Sequence, residues 1–414
     1  MKIHIIGGGI IGLCSAYYLN EAGIDVEVID QSDLSEGCSF GNAGMIVPSH
    51  FTPLATPGII TKGIRWMFNP KSPFYIKPRI SLELGQWLWQ FHKSCNRKKV
   101  AAAIPALKDL SLFSKKLYQD LAQNPDLNFN YEEEGLMMLF KNPKTQQAEI
   151  EIAEKANDMG IEARILTADQ VKTYETGTKT NVIGGVFYPG DAHLHPNVLM
   201  SQMISYLKKR GVCFRGNTTV TGFDYDNEKI KNIKTETGEK IKVVHLIVAG
   251  GSWTAKILKF LGIKILLQDG KGYSVTLKDQ PERPKIPSIL TEAKVAITPM
   301  GTDLRIGGTL EISNFSSRIN KKRVQGFLES VPKYYPDLQA SMPDEKLIWH
   351  GFRPCSPDGL PYIGASQKFK NLTIASGHAM MGLSLGPATG KLIAEIIQNQ
   401  SPSVEIHLFD PHRF

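Results

Sequence analysis

Apolar and polar positions follow two different periods along this chain. At the start, an apolar strand over Ile3–Ile6 leads through a glycine-rich turn into a helix, and a second strand covers Ile24–Ile29. From 51 to 180 the apolar spacing is mostly near 3.6 residues, which is typical of amphipathic helices. It predicts helices and one strand over these ranges: Ser81–Ser94, Pro105–Ala122, Pro143–Met159 and the strand Gly135–Phe140.

Short strands dominate the second half of the chain. Turn residues separate apolar runs, which predicts strands over Val186–Tyr188, Thr218–Tyr225, Ile230–Thr237, Lys240–Val248, Gly272–Lys278, Ala293–Thr298, Leu304–Leu310 and Leu372–Ala375. The three runs from Thr218 to Val248 indicate an antiparallel meander. Helices are predicted over Asn197–Arg210, Lys321–Ser330 and Pro387–Gln398, the last after a loop over Gly377–Gly386.

These changes of pattern indicate an α/β fold with α+β elements and two interleaved domains. A Rossmann-like domain is predicted from the ranges 1–50, 181–262 and 346–414. A domain of mixed sheet and helices is predicted from 51–180 and 263–345. A length of 414 residues agrees with two domains.

Composition indicates a globular protein of a reducing compartment. Hydrophobic residues make up 42% and the mean hydropathy is −0.17. The five cysteines are scattered and odd in number, which argues against a disulfide framework or a zinc site. We find neither a signal peptide nor a run of about 20 apolar residues. These observations predict a cytoplasmic location.

The net charge of +8 leaves two interpretations open. Nucleic-acid binding is not expected, because the one dense basic run is Arg97–Lys99. Between Ile59 and Phe91, however, aromatic side chains and cations intermingle, which suits either a pocket wall or peripheral contact with the inner face of a membrane. The residues are Trp66, Met67, Phe68, Phe74, Tyr75, Trp87, Trp89 and Phe91, with Lys62, Arg65, Lys71, Lys77 and Arg79.

The opening turn predicts dinucleotide binding. In the Gly7–Gly12 segment, the first glycine permits a tight turn, Gly9 lets backbone approach a diphosphate, and Gly12 lets the helix pack on the strand. Ile10 and Ile11 begin the helix whose free N–H groups attract phosphate. Asp30 ends the second strand, where an acid accepts from a ribose hydroxyl, and Gln31 and Ser32 follow it.

The cofactor predicted is FAD. No second GxGxxG motif follows a strand, whereas a loop of small residues follows Asp30 and lets backbone lie against a large flat ring. Its predicted contacts are Ser39, Asn42, Ala43, Gly44 and Met45. Further contacts are predicted after later apolar segments, at Val220, Ala249, Gly250, Gly251, Trp253, Gly382, Leu383 and Ser384.

Two other residues carry candidate chemistry. Arg353 stands in a proline-rich segment and either binds a carboxylate as a fork or lies in a surface turn. His378 is a candidate acid, base or substrate contact, with a structural hydrogen bond as the alternative. His193 and His195 lie near Asp191, but the spacing does not indicate a metal site, and no metal is expected.

At these motifs the chain resembles the D-amino acid oxidase superfamily of flavoproteins, and within it the bacterial D-amino acid dehydrogenase branch. The resemblance covers nearly the whole chain. It rests on Gly7–Gly12 with Asp30, Ser39–Gly44, Pro57–Ile59 with Trp66–Phe68, Lys271–Ser274, Ala296–Thr298, Arg305–Gly308, Arg353–Gly359, Gly377-His378 and Gly382.

The resemblance implies an FAD-binding domain interleaved with a substrate domain. It also implies oxidation of the Cα–N bond of a D-amino or D-imino acid by hydride transfer to flavin N5, with electrons passing to a quinone or carrier. Arg353 matches the family's carboxylate-binding arginine, and Tyr273 matches the tyrosine that supports it. His378 is the third candidate for a catalytic residue.

The segment after His378 resembles hydroxyproline-catabolic members, which suggests cis-4-hydroxy-D-proline as substrate, with His193, His195 or His378 at its hydroxyl. Cys355 and Ser356 depart from the branch's usual pattern. The alternatives are a glycine or sarcosine type oxidase that uses oxygen, and a non-catalytic flavin subunit of an electron-transfer complex.

Overall fold

The computed structural model describes residues 2–67, 69, 71–77, 79–313 and 315–414. Of the aromatic and basic residues considered between Ile59 and Phe91, Phe68 lies outside the described residues, and so do the side chains of Lys62, Arg65 and Trp66.

Strands and helices alternate irregularly along the described part of the chain. The strands are β1 (Lys2–Ile6), β2 (Asp25–Ile29), β3 (Met45–Ile46), β4 (Phe74–Ile76), β5 (Leu136–Phe140), β6 (Arg164–Thr167), β7 (Gly184–Tyr188), β8 (Ala192–His193), β9 (Cys213–Arg215), β10 (Val220–Tyr225), β11 (Ile230–Thr235), β12 (Lys240–Lys242), β13 (His245–Val248), β14 (Gln268–Leu277), β15 (Ser288–Leu290), β16 (Val295–Met300), β17 (Asp303–Ile312), β18 (Ile348–Cys355), β19 (Tyr362–Ala365) and β20 (Leu372–Ser376). The helices are α1 (Ile10–Glu21), α2 (Ile59–Met67), α3 (Leu82–Ser94), α4 (Arg97–Ala122), α5 (Pro143–Asp158), α6 (Ala168–Tyr174), α7 (Pro196–Lys209), α8 (Thr254–Lys259), α9 (Lys321–Leu328), α10 (Val331–Tyr334) and α11 (Gly382–Ile397).

A largely parallel sheet carries the N-terminal motif. Its order is β19-β20-β13-β1-β2-β9, and only β19 runs antiparallel to its neighbour. β1 lies between β2 and β13, with Ile3 opposite both Val26 and His245. Apart from their first residues, the central strands β1, β2 and β13 are buried, as expected for a sheet covered on both faces. The predicted strand–helix–strand unit is confirmed.

A second, larger sheet is mixed. Its order is β18-β14-β17-β16-β15-β5-β7-β6, and β4 pairs with β17. β10, β11 and β12 form a small antiparallel sheet, and β3 pairs with β8. The mixed α/β fold class predicted from the sequence is confirmed by these sheets and their helices.

Helix α11 packs on α1, and two glycines permit the close approach. A Cβ at Gly390 would lie 2.4 Å from the backbone of Cys14, and one at Gly386 would lie 2.9 Å from Ile10. α4 packs on the other side of α11, where Tyr118 donates a hydrogen bond to the Leu383 carbonyl at 2.7 Å. None of the described helices is long and apolar enough to cross a membrane.

Several predicted boundaries were wrong, each for a local reason. α4 begins at Arg97 rather than Pro105, because Asn96 caps the helix and the proline is accommodated inside it. α11 begins at Gly382 and contains Pro387, so the loop before it is shorter than predicted. The run Lys240–Val248 is two strands: β12 completes the meander, whereas β13 joins the parallel sheet.

The division into two domains stays a proposal. The parallel sheet draws its strands from the ranges 1–50, 181–262 and 346–414. Two strands from those same ranges, β7 and β18, pair in the larger sheet instead. We therefore propose that the chain passes between domains within these segments, rather than at residues 181 and 346.

Candidate functional site

One large cavity of about 1810 Å³ is lined by residues of both sheets. At one end its wall contains Gly7, Asp30 and Ala249, which follow β1, β2 and β13 directly. The carboxyl ends of parallel strands are where open α/β sheets bind ligands. All the predicted cofactor residues line this cavity except Gly12, Gly44 and Ser384.

The start of α1 is shaped to accept a diphosphate. Gly9 caps the helix with no side-chain hydrogen bond, so the backbone N–H groups of the first turn, apart from that of Ile10 on the Ser39 hydroxyl, are available to a ligand. Gly7 has φ +114°, and a Cβ at Gly12 would lie 1.9 Å from the Gly7 carbonyl oxygen. Gly12 therefore does not line the cavity, but it lets α1 pack closely against the turn at Gly7.

The carboxylate of Asp30 holds the turn and faces the cavity. Its Oδ2 accepts from the Gly8 amide at 2.7 Å, and its Oδ1 accepts from the Ser32 amide at 2.8 Å and hydroxyl at 2.7 Å. The acid, its neighbour Gln31 and Ser32 all line the cavity. This arrangement fits the ribose of an adenine dinucleotide.

The glycine-rich loop is fastened to the large sheet by Arg305, which the sequence analysis did not assign. Arg305 on β17 donates from Nη1 to the carbonyls of Phe40 at 3.0 Å and Asn42 at 2.9 Å. The Ser274 hydroxyl donates to the Gly41 carbonyl at 2.9 Å. The signal available in the sequence was a cation, Arg305, inside a predicted strand and shortly before Gly307-Gly308.

A hydrogen bond joins the glycine-rich loop to the first helix. The Ser39 hydroxyl accepts from the Ile10 amide at 3.1 Å. Gly44 has φ +78° and faces the Leu194 carbonyl, not the cavity. Ser384 likewise turns away, and its hydroxyl accepts from the Val47 amide at 3.0 Å. Ser39, Gly44 and Ser384 thus support the wall that the opening turn and the glycine-rich loop form, which we call the cradle. The residues of the cradle fit FAD.

Arg353 stands on the wall of the cavity without a counter-charge. Its Nη1 donates to the carbonyl of Thr309 at 2.7 Å. Its guanidinium lies over Gly272, where a Cβ would come within 2.0 Å of Nη1. Among the described residues it forms no ion pair. Burial lowers its pKa, since the charged form loses contact with water. An enclosed, unpaired guanidinium that faces a cavity is built to bind an anion.

Thr309 is a second residue that the sequence analysis missed. It lies in a β-bulge of β17, where Thr309 and Leu310 together oppose Gly272 of β14. Its φ is +66°, a strained conformation for a β-branched residue. Its buried hydroxyl has no hydrogen-bond partner among the described residues. The bulge turns the Thr309 carbonyl toward Arg353.

Tyr273 and Arg353 lie on opposite faces of the large sheet. Gly270 pairs with Arg353, and Tyr273 is three positions further along the same strand. Since side chains alternate between the two faces of a sheet, Tyr273 and Arg353 point to opposite faces. The Tyr273 hydroxyl donates to Glu311 at 3.0 Å and accepts from the Asn320 amide at 3.2 Å. Tyr273 contributes to the cavity wall, but its hydroxyl is engaged elsewhere.

His378 is engaged by α11. Its Nε2 lies 2.9 Å from the Thr389 hydroxyl, which itself donates to the Leu385 carbonyl. Because that hydroxyl has one proton, Nε2 must be the donor. Burial lowers the His378 pKa to about 3. This geometry matches the structural alternative for His378, while its catalytic role stays a proposal.

The other predicted histidines lie away from the cavity. His193 pairs with Glu132 through the backbone, and neither it nor His195 is part of the cavity wall. His50 does line the cavity and was missed. The signal available was a polar pair, Ser49-His50, that follows the apolar run Met45–Val47 after one proline, Pro48.

The aromatic and basic segment forms both a pocket wall and an exposed surface. Trp87 stacks on Phe91 at 4.9 Å and donates from its indole to the Cys355 carbonyl at 2.8 Å. Beside them, Leu82 and Trp89 on α3 are exposed, as is Ile80. The two interpretations of this segment thus apply to different residues.

Comparison with known proteins agrees with this geometry. The family model described as "DAO: FAD dependent oxidoreductase" matches residues 2–396. A D-amino acid dehydrogenase of Helicobacter pylori is 31% identical over 99% of this chain and 98% of the relative. One from Granulibacter bethesdensis is 29% identical over 98% and 97%. Among solved structures, glycine oxidase from Geobacillus kaustophilus matches with a TM-score of 0.80 at 21% identity, covering 100% and 99% of the two chains.

Proposed function

The chain belongs to the DAO family of FAD-dependent oxidoreductases, and from that premise we propose that it oxidises D-amino or D-imino acids as a dehydrogenase. The name of the full-length relatives supports the D configuration and the dehydrogenase reaction. The observation that carries the proposal is Arg353, a guanidinium on the wall of the cavity that forms no ion pair with any described residue.

FAD, when bound, supplies the acceptor for a hydride from the substrate Cα. The protein supplies position. Arg353 binds the substrate carboxylate, and the Thr309 carbonyl holds one side of the guanidinium. Apolar side chains enclose the rest and exclude water, including Leu310 and Trp87. No side-chain base is required, because a neutral amine with a correctly placed Cα–H is the reacting species.

Among possible substrates we propose cis-4-hydroxy-D-proline, which is oxidised to a pyrroline carboxylate. Support comes from the segment after His378, which resembles hydroxyproline-catabolic enzymes. The electrons then pass to a respiratory acceptor, a quinone or a carrier protein. We also propose peripheral contact with a membrane through the exposed surface of Ile80, Leu82 and Trp89, beside which Lys93 lies 5.0 Å from the Trp89 ring centre.

Anaerobic titration of the purified yellow protein tests the reaction. D-amino acids and cis-4-hydroxy-D-proline are added in turn, with the L isomers as matched controls. Bleaching of the flavin absorbance by D substrates alone supports the proposal. Bleaching by L isomers alone, or by nothing in the panel, contradicts it. Hydrogen peroxide formation in air as fast as dye reduction would identify an oxidase instead.

A further inference from the structure

A chain of three polar side chains reaches the cavity through His50. Asp191 and Ser49 are buried, and His50 follows in a turn closed by its own amide on the Val47 carbonyl. The Ser49 hydroxyl donates to Asp191 Oδ2, and the Ser49 amide donates to Oδ1 at 3.1 Å. The same hydroxyl lies 3.0 Å from His50 Nδ1.

The proton positions in this chain follow from the number of donors. Burial raises the Asp191 pKa to about 7, so above that pH Asp191 is a carboxylate and accepts the one proton that the Ser49 hydroxyl can donate. The contact with His50 can then form only if His50 Nδ1 carries a proton and donates it to the serine oxygen. Above pH 7 the neutral imidazole therefore leaves Nε2 unprotonated, as an acceptor.

His50 Nε2 has no protein partner among the described residues, and the ring lines the cavity. Apart from Lys294, which also lines the cavity, the surrounding wall is apolar: Val47 belongs to a cluster with Met138, Ile289 and Ala296, all of which line the cavity. Burial lowers the His50 pKa to about 4, and Lys294 adds to the effect. The ring thus stays neutral under ordinary conditions.

An isolated acceptor in an apolar wall selects for a ligand that brings a donor. A ligand without one leaves the acceptor buried and unpaired, which is costly. With the substrate carboxylate on Arg353, as proposed above, His50 in the same cavity is available to the substrate's side chain. No acidic side chain lines this part of the wall, which disfavours a basic side chain.

We propose that His50 determines substrate specificity by accepting a hydrogen bond from a hydroxyl on the substrate's side chain. Ser49 and Asp191 are positioning residues that hold the tautomer and the ring. This inference rests on the proposed function for the reaction itself, and it assigns the hydroxyl contact to His50 instead of the histidines considered from the sequence.

The test compares cis-4-hydroxy-D-proline with D-proline, which differ by that hydroxyl. For the wild type, His50→Leu and His50→Gln, we measure kcat/KM by dye reduction and Kd by anaerobic calorimetry, at a pH well above the Asp191 pKa of about 7. The wild type should favour the hydroxylated substrate, and His50→Leu should reduce that preference by roughly 10- to 100-fold. His50→Gln, which retains an acceptor, should restore part of it.

Ser49 variants separate positioning from packing. Ser49→Ala removes the contact that holds Nδ1 and should weaken the preference, whereas Ser49→Thr retains a hydroxyl and should restore it. Flavin absorbance and thermal melting show whether each variant folds. These variants also keep the test informative if His50→Leu does not fold.

The outcomes separate this inference from the proposed function. Turnover of both substrates with no preference, or with a preference that His50→Leu leaves intact, overturns the His50 assignment and leaves the reaction standing. Tighter binding of the hydroxylated compound, lost in His50→Leu but without turnover, supports His50 and overturns the reaction. If the protein neither binds nor oxidises the two compounds, both the His50 assignment and the proposed reaction are overturned. An equal loss for both substrates means that His50 contacts the α-amino group, which also overturns the assignment.

Discussion

Arg353 donates from Nη1 to the Thr309 carbonyl at 2.7 Å, and Thr309 accommodates this with a left-handed backbone at φ +66°. A strained residue thus orients the cation that we propose to bind substrate. Strain of this kind persists where the surrounding structure imposes it, and it clusters at active sites.

Replacing Arg353 by leucine should reduce kcat/KM for D-amino acids by about 100-fold or more, mainly through KM, because a charge-assisted contact is lost. Arg353→Lys keeps a point charge without the fork and should fall between. Flavin content, read from visible absorbance, should match the wild type. Unchanged kinetics in Arg353→Leu would place the carboxylate site elsewhere.

Thr309→Gly should change the free energy of unfolding by less than about 1 kcal/mol. Relief of left-handed strain, about 1–3 kcal/mol, offsets the greater freedom of glycine in the unfolded chain. The matched control is Thr298→Gly on β16, a buried threonine outside the left-handed region, which should lose clearly more stability. Urea unfolding measures both. Equal losses would show that Thr309 is not strained.

Gly12→Ala should abolish FAD binding, since its Cβ would lie 1.9 Å from the Gly7 oxygen and displace either the turn or α1. Gly190→Ala is the control, because no atom lies within 4 Å of a Cβ there. The measurements are flavin absorbance after gel filtration and circular dichroism. A Gly12→Ala protein that stays fully yellow would refute the proposed cradle.

His378→Gln tests the buried histidine by its pH dependence. The folded pKa of about 3 lies below the unfolded value near 6.5. Unfolded chains therefore bind a proton first, and the stability contributed by neutral His378 is present above pH 6.5 and is lost as the pH falls toward 3. The variant should show a shallower fall of unfolding free energy over this window.

The same variant separates structure from catalysis. If His378 serves α11 alone, kcat at neutral pH should stay within about five-fold of the wild type, since Nε2 is already committed to Thr389. A loss of 100-fold or more in folded, yellow protein would assign it to the reaction.

Membrane contact is tested by sedimentation with vesicles of phosphatidylcholine, alone or mixed with phosphatidylglycerol. Ile80→Glu combined with Leu82→Glu should reduce binding to the anionic vesicles at least 10-fold, because insertion of two exposed apolar side chains is lost and negative charge is added. Ile165→Glu changes an exposed apolar residue on β6 and should have no effect. Equal binding by all variants would rule out this surface.

Local patterns were sufficient where function depends on backbone. The glycines of the opening turn, Asp30 and the loop before Met45 act through short segments with clear spacing, and all of them except Gly12 and Gly44 line one cavity. Contacts between distant segments were not predictable. Arg305 joins the loop 265 residues away, and the Ser49–Asp191 contact spans 142 residues.

Strand register could not be predicted for Tyr273, which the resemblance implies assists Arg353. The two residues are neighbours on paired strands, but only the register of β14 on β18 shows that their side chains leave opposite faces. Proline was misleading in a similar way, since Pro105 and Pro387 lie within helices rather than at their starts.

The arrangement of the parallel sheet also constrains how the protein is made. β1 has β2 on one side within 29 residues, but its other neighbour, β13, ends at Val248, and β20 ends at Ser376. A ribosome must release most of the polypeptide before the nascent sheet can close. During translation the first strand–helix–strand unit therefore waits with both edges unpaired, because β9, the outer neighbour of β2, begins only at Cys213.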